Sequence, residues 1–285
     1  MTIMQETAPW LRRVICLLGS GARYTAVLIF SVIMGFPFYY MAAVSFATDQ
    51  QIHWLPIPVV PHQLAFENYM RIWTVAPFGR FFLNSVIVAC SITCLHLIFD
   101  PLAGYVFAKF RFRGRDTLFL IILGTIMIPF FLRMIPLYWL MARLRWLNTY
   151  QGLIIPFASS AYGIFLMRQF ILPLPSELLD AARVDGASEL RIFAWIVVPQ
   201  LGPALASNAL FTFVYQWNNF LWPLIVTSST NMRTLTLGLT FFYQEGYTRW
   251  NLMAAASMLL FLPIFVLFLL AQQFFVKGIV TSGFK

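Results

Sequence analysis

The chain has 285 residues, a formal net charge of +9, 60% hydrophobic residues and only 10% charged ones. A soluble domain carries roughly a quarter of its residues as charges. A sequence with thirty phenylalanines and a mean hydropathy of +0.78 is therefore not one. The basic excess is a topology signal and does not point to nucleic acid.

The pattern predicts an all-α membrane protein with six transmembrane helices. It has two regions, a cytosolic N-terminal tail (residues 1–23) and a six-span domain (24–285). The tail carries Arg12, Arg13 and Arg23 around the run VICLLG, which is too short for a signal-peptide core. Span one, 24–48, has no charge and is long enough to cross about 30 Å of hydrocarbon, with Pro37 as a candidate kink. Asp49 to Arg80 is an extended external loop with Pro56, Pro58 and Pro61. Within it ENYMRIW reads as a short amphipathic helix on the membrane surface, and His53 and His62 as solvated side chains.

Span two, 81–107, contains His96 and Asp100. Four residues apart, they share a helix face and can pair. Ionisable groups at this depth face a bundle interior and often mark a function. The pair is read either as a proton relay or substrate contact, or as a structural hydrogen bond at a helix interface. Cys90 and Cys94 lie one turn apart in the same span, and Cys16 lies near the N-terminus. No further ligands cluster with them, so they read as small apolar packing and no metal site is expected.

Lys109, Arg111, Arg113 and Arg115 form a basic loop before span three, 117–140, whose later part holds Pro129, Arg133 and Pro136. Span four, 146–167, is uncharged and includes Pro156 and Gly163. Span five is 203–226, followed by a polar loop with Tyr243, Gln244, Glu245 and Tyr247; span six is 250–276. With the N-terminus inside, twelve of the nineteen bases fall on the inner side and six on the outer side, with Arg133 in a span. The positive-inside rule favours this orientation, with both termini in the cytosol.

Between spans four and five lies an island, Leu174 to Pro203, holding Glu177, Asp180, Arg183, Asp185, Glu189 and Arg191. So polar a stretch belongs in water or against a soluble partner. Pro175 and Ser176 open a helix, with the serine hydroxyl as cap. Leu178, Ala181, Ala182 and Asp185 share one small side that another surface could approach. Gly186 stops the helix. Ser188 and Glu189 restart it through Ile192, Phe193 and Ile196, and Pro199 ends it.

DAARVDGAS followed by FAWIVVP resembles the cytoplasmic coupling loop of ABC-importer permeases, a pattern of EAA, DGA, then I-x-LP. Asp185, Gly186, Ala187, Ile196 and Pro199 match; Asp180 replaces the usual glutamate and Val198 a leucine. NTYQGLIIPF, GIFLMRQF, QWNNFLWPL and FRFRGRDTLF are similar to the MalG-like, carbohydrate-importing branch, and the likeness runs from about Arg23 to the end. The resemblance implies a permease subunit in a bacterial or archaeal cytoplasmic membrane. It implies a MalF-like permease partner, a cytosolic ABC ATPase dimer that binds ATP and Mg, an external substrate-binding protein and a sugar or polyol substrate. Glu177, Asp180, Ala181, Ala182, Arg183, Asp185, Gly186 and Ala187 would then meet the ATPase.

The residues themselves agree that energy comes from elsewhere. No G-x-x-x-x-G-K-[ST] occurs, so the chain has no P-loop. No nucleophile–histidine–acid arrangement or metal-ligand spacing stands out, so neither an enzyme nor a cofactor is expected. In span five, Tyr215, Trp217, Asn218, Asn219 and Trp222 either meet a sugar by stacking and amide hydrogen bonds, or form an interfacial belt with amides bonding between helices. The resembling family usually has aspartate at Asn219. The rival from another class is a proton-coupled secondary transporter using His96 and Asp100; no inverted repeat supports it.

Overall fold

The computed structural model describes residues 9–54, 59–244 and 247–282. Pro56, Pro58, Glu245, Lys285 and the first eight residues of the predicted tail lie outside them. The side chains of Arg12, Arg13, Cys16, Gln244, Tyr247 and Lys277 lie outside the description too.

The fold is helical throughout apart from a two-residue hairpin, with β1 (Tyr243–Gln244) antiparallel to β2 (Tyr247–Thr248). Three helices are long and apolar enough to cross a membrane unbroken: α1 (Pro9–Ser45), α3 (Phe78–Lys109) and α14 (Trp250–Ser282). Between α1 and α3 lies α2 (Asn68–Val75), the expected short amphipathic helix; its Ile72 is buried and its Met70 exposed.

The remaining spans are broken. Span three divides into α4 (Arg115–Gly124) and α5 (Phe130–Arg143), bent by 103°. Pro129 explains the break: it forces Ile128 into extended backbone (ψ 112°) and so ends the first helix. Span four divides into α6 (Tyr150–Ile154), with a 3₁₀ turn at Ile155–Phe157, and α7 (Ala161–Ile171), bent by 40°. Ser160 caps α7, accepting the Gly163 N–H at 2.9 Å. Span five divides into α11 (Gly202–Trp217) and α12 (Leu221–Val226). Pro223 has no N–H to offer the Asn219 carbonyl, which weakens the helix there, and the chain leaves regular helix at Asn218–Phe220.

The island between them holds α8 (Ser176–Val184), α9 (Glu189–Ile192), a π-helical turn at Phe193–Val197 and α10 (Val198–Gln200). Pro199 sits in the first turn of α10 rather than ending a helix before it, because its missing N–H is tolerated there. The outer loop after α12 adds α13 (Leu235–Gly238).

Helix α3 is the spine. Its Phe78, Phe81 and Ala89 enter one core with α2, α11, α13 and α14. Its Val88 and Ile92 enter a second with α5, α6 and α12. Its Tyr105 enters a third with α7, α8 and α9. Close approach to α7 depends on two glycines. A Cβ at Gly104 would meet the Met167 Cβ at 2.7 Å, and one at Gly163 would overlap the Asp100 carboxyl. At the opposite end Asn251 of α14 donates to Asp49 Oδ1 at 2.7 Å, and Asn68 of α2 donates to the carbonyls of Ser45 and Ala47. This clasp ties α1, α2 and α14 together. Asp49 also pairs with Arg71 at 3.1 Å. Partial burial opposes its ionisation, but hydrogen bonds from Asn251 and Arg71 outweigh that and lower its pKa.

Candidate functional site

The island folds into an elbow. Helix α8 opens with Pro175 at its cap position and no side-chain capping bond, so the expected Ser176 cap is not formed; Ser176 is already the first helical residue. Its end is the expected one. Gly186 takes φ +80°, a left-handed conformation that disfavours any residue with a Cβ, and its N–H bonds the Arg183 carbonyl at 3.0 Å. Ser188 then caps α9 by accepting the Arg191 N–H.

Two sets of contacts stiffen the elbow. The first is apolar: Leu179 of α8 and Ile192 of α9 are completely buried against Met167, Ile171 and Tyr105. The second is ionic. Arg183 donates from Nη1 to Asp180 Oδ1 at 2.6 Å and from Nε to Glu189 Oε1 at 2.7 Å, bridging α8 to α9 across the corner. Tyr105 of α3 donates to Glu189 Oε2 at 2.9 Å and roots the pair in the bundle. The Arg183 guanidinium holds the Glu189 carboxyl below the usual carboxylate range, and Glu189 in turn raises Arg183. The shorter Asp180 carboxylate is therefore engaged within its own loop.

The predicted coupling residues divide accordingly. Glu177, Asp180, Ala181, Arg183, Asp185 and Gly186 are exposed. Ala182 and Ala187 are half-buried in the third core, so Ala182 is the member of the small side that the chain itself partly covers. Sequence reasoning missed three exposed apolar side chains on this loop: Val184 (87% exposed), Leu190 (71%) and Trp195 (79%). Val184, an apolar residue set between charges next to the corner glycine, was the available signal. Leu190 also lines a groove of about 530 Å³ between α3 and α9, with Phe99, Tyr105, Val106, Glu189 and Phe193.

The span-five residues do not form one site. Trp217 and Trp222 are buried to 1% exposure. Their indole N–H groups donate to the Leu260 and Gly152 carbonyls, each at 2.9 Å. Both rings therefore lie in the core, rather than on a stacking surface or in an interfacial belt, the two readings left open for them. Tyr215 and Asn218 are exposed, although Asn218 donates back to the Val214 carbonyl, and Asn219 is half-buried and approaches the Trp222 N–H at 3.4 Å. Cys90 and Cys94 lie exposed on α3 rather than in the small apolar packing expected of them. Among the described residues no three His, Cys, Asp or Glu side chains are grouped as metal ligands would be. His53 and His62 are exposed loop residues, as expected.

His96 and Asp100 do pair, Nδ1 to Oδ2 at 2.9 Å, with Asp100 fully buried. Asp100 also receives hydrogen bonds from Ser159, Ser160 and Asn208.

Residues 101–281 match the model of the family described as binding-protein-dependent transport system inner membrane component. The chain belongs to that family. It is thus a multi-pass inner-membrane permease subunit of an ABC importer and not an enzyme; ATP is used by a partner subunit. It is 39% identical, over 79% of its length and 81% of the relative's, to the arabinooligosaccharides transport system permease protein AraQ of Halalkalibacterium halodurans. It is 34% identical, over 98% of its length and 99% of the relative's, to the sn-glycerol-3-phosphate transport system permease protein UgpE of Escherichia coli. A chain of a bacterial ABC transporter involved in the import of the acidic polysaccharide alginate superposes with a TM-score of 0.81. That match covers 95% of this permease and 100% of that chain, at 23% identity, and establishes the fold. The family membership supports a binding-protein-dependent importer and gives no support to the proton-coupled alternative.

Proposed function

We propose that this permease is one half of a heterodimeric importer for a carbohydrate or related polyol. A MalF-like permease completes the pathway, an external binding protein delivers the substrate, and a cytosolic ATPase dimer holds ATP and Mg. The names of the relatives, arabinooligosaccharide and glycerol-3-phosphate permeases, support that substrate class. The distribution of Lys and Arg supports an orientation with both termini and the elbow in the cytosol.

The observation that carries the reading is the elbow. It projects charged and apolar side chains outward while Leu179, Ile192 and the Arg183 bridge fix it to the bundle. A handle of this kind transmits displacement, whereas a loop without a root would absorb it. Glu177, Asp180, Ala181, Arg183, Asp185 and Gly186 meet the ATPase, with Ala182 and Ala187 setting the spacing behind them. ATPase closure then moves α8 and α9, and the spans tilt to open the cavity outward.

The test is Gly186→Pro. Proline fixes φ near −65° and cannot take the +80° of this corner. The variant complex should assemble and co-purify with its ATPase but hydrolyse ATP without uptake. Wild-type uptake would remove the coupling assignment. For the pathway, Tyr215, Asn218 and Asn219 remain as substrate contacts. Asn218→Ala should weaken the stimulation of ATPase activity by loaded binding protein, and an unchanged response would return Asn218 to a purely structural role.

A further inference from the structure

Span four is interrupted within an apolar segment, and its break frees backbone groups that a membrane does not hydrate. Helix α6 and its 3₁₀ turn end at Phe157, and α7 begins at Ala161. The groups left over at this break meet α3. The Phe157 carbonyl accepts from His96 Nε2 at 2.9 Å. The Ser160 N–H donates to Asp100 Oδ1 at 3.2 Å, and the Ser159 hydroxyl donates to the same oxygen at 2.6 Å. One side chain takes the loose acceptor and the other takes the loose donors.

The pair is itself held from a third helix. Asn208 Nδ2 of α11 donates to Asp100 Oδ2 at 3.1 Å, and Thr212 Oγ1 lies 3.3 Å from His96 Nδ1. Because the Phe157 carbonyl can only accept, His96 Nε2 carries the proton on that side. The carboxyl also sits at the N-terminus of α7, where the helix dipole favours negative charge. Gly163 leaves the space: a Cβ there would occupy the position of the Asp100 carboxyl.

We propose that His96 and Asp100 are positioning residues that latch the break of span four, so that α3 and α7 move as one lever. The far end of the lever is tied in the same manner. Lys109 Nζ donates to the Leu172 carbonyl at 3.1 Å and also to that of Leu174, and Arg168 Nε donates to the Phe107 carbonyl at 3.1 Å. Leu174 leads directly into α8. The latch thus fixes the interruption inside span four, while the Lys109 and Arg168 bonds hold the turn that leads from α7 to α8; this part of the proposal rests on the coupling reading above. It also assigns the pair a role other than proton transfer.

The test is amide hydrogen exchange on the complete importer in lipid nanodiscs, with and without Mg-ATP. In the wild type, amides of residues 158–164 should exchange slowly in both states while those of 176–192 respond to Mg-ATP. Asp100→Asn replaces one carboxylate oxygen by an NH₂ that must face a donor. It should speed exchange at 158–164 by about tenfold, the loss of a charge-assisted hydrogen bond, and leave 176–192 unchanged without nucleotide. Ser159→Ala removes a single donor and gives a folded control, with a rise of about threefold. His96→Gln, which keeps an N–H for the Phe157 carbonyl, should retain more protection than His96→Leu. Wild-type exchange at 158–164 in Asp100→Asn and Ser159→Ala overturns the latch, as does a rise spread evenly over the whole chain. If 158–164 responds as stated but 176–192 ignores Mg-ATP in the wild type, the latch stands and the coupling reading falls.

Discussion

The elbow and the break in span four use the same chemistry in opposite surroundings. Each sets a carboxyl group against a nitrogen partner beside a helix N-terminus: Glu189 with Arg183, and Asp100 with His96. The Glu189 and Arg183 side chains are 42% and 37% exposed; Asp100 is fully buried. In water such a pair contributes little, so the elbow relies on Leu179 and Ile192 for stability and on its charges for shape. In the interior, Asp100 and two of its partners, His96 and Asn208, are buried, so the polar contacts themselves hold the structure. Burial, not residue type, decides which of the two is a strut.

The comparison can be broken at its strongest point first. Asp100→Ala strips the acceptor from His96, Ser159, Ser160 and Asn208 at once. It should destabilise the permease by about 3–5 kcal/mol, as removal of one member of a buried pair does, read as a large loss of melting temperature or of assembled complex. A loss no larger than that of a surface variant would erase the contrast. Leu179→Ala tests the apolar root of the elbow, with an expected cost of about 2–5 kcal/mol confined to α8 and α9, checked by proteolytic susceptibility of residues 174–200. Gly186→Ala keeps the corner but places a Cβ in left-handed backbone, for about 1–2 kcal/mol. Coupling should survive in it where Gly186→Pro abolishes it.

The smallest effect is Arg183→Ala, under about 1 kcal/mol of stability because the bridge is solvated. Its signature is pH. Since Arg183 lowers the Glu189 pKa, the bridge contributes above the ordinary carboxylate range and is lost as pH falls through the folded value of Glu189. Exchange protection at 187–192 should therefore fall on acidification below the usual glutamate pKa in the wild type. In Arg183→Ala it should already be reduced at neutral pH and fall at a higher pH.

What could be read from the residues followed locality. The helix–corner–helix order of the island rests on Gly186 and Ser188, whose signals act within four residues, and both behave as expected. The i, i+4 spacing of His96 and Asp100 showed that they could meet. It could not show Phe157, Ser159 or Asn208, which approach only when α7 and α11 pack on α3. The prolines at 129, 156 and 223 were visible, but not the bend angles, which neighbouring helices impose. Trp217 and Trp222 were ambiguous for the same reason: a tryptophan near a span end suits a lipid interface, a sugar or a core equally well. Their carbonyl partners, Leu260 and Gly152, lie 43 and 70 residues away. Ser176 was misread because Pro175 takes the cap position ahead of it.

The order of the chain bears on how span four enters the bilayer. Its break would be costly to bury alone, yet the side chains that answer it, His96 and Asp100, lie about sixty residues upstream. During synthesis α3 emerges before α7, so the receptor for those loose backbone groups precedes the groups themselves. Asn208 and Thr212 follow later and close the cluster from its third side. A permuted gene in which α7 was translated before α3 would present the insertion machinery with an unanswered gap.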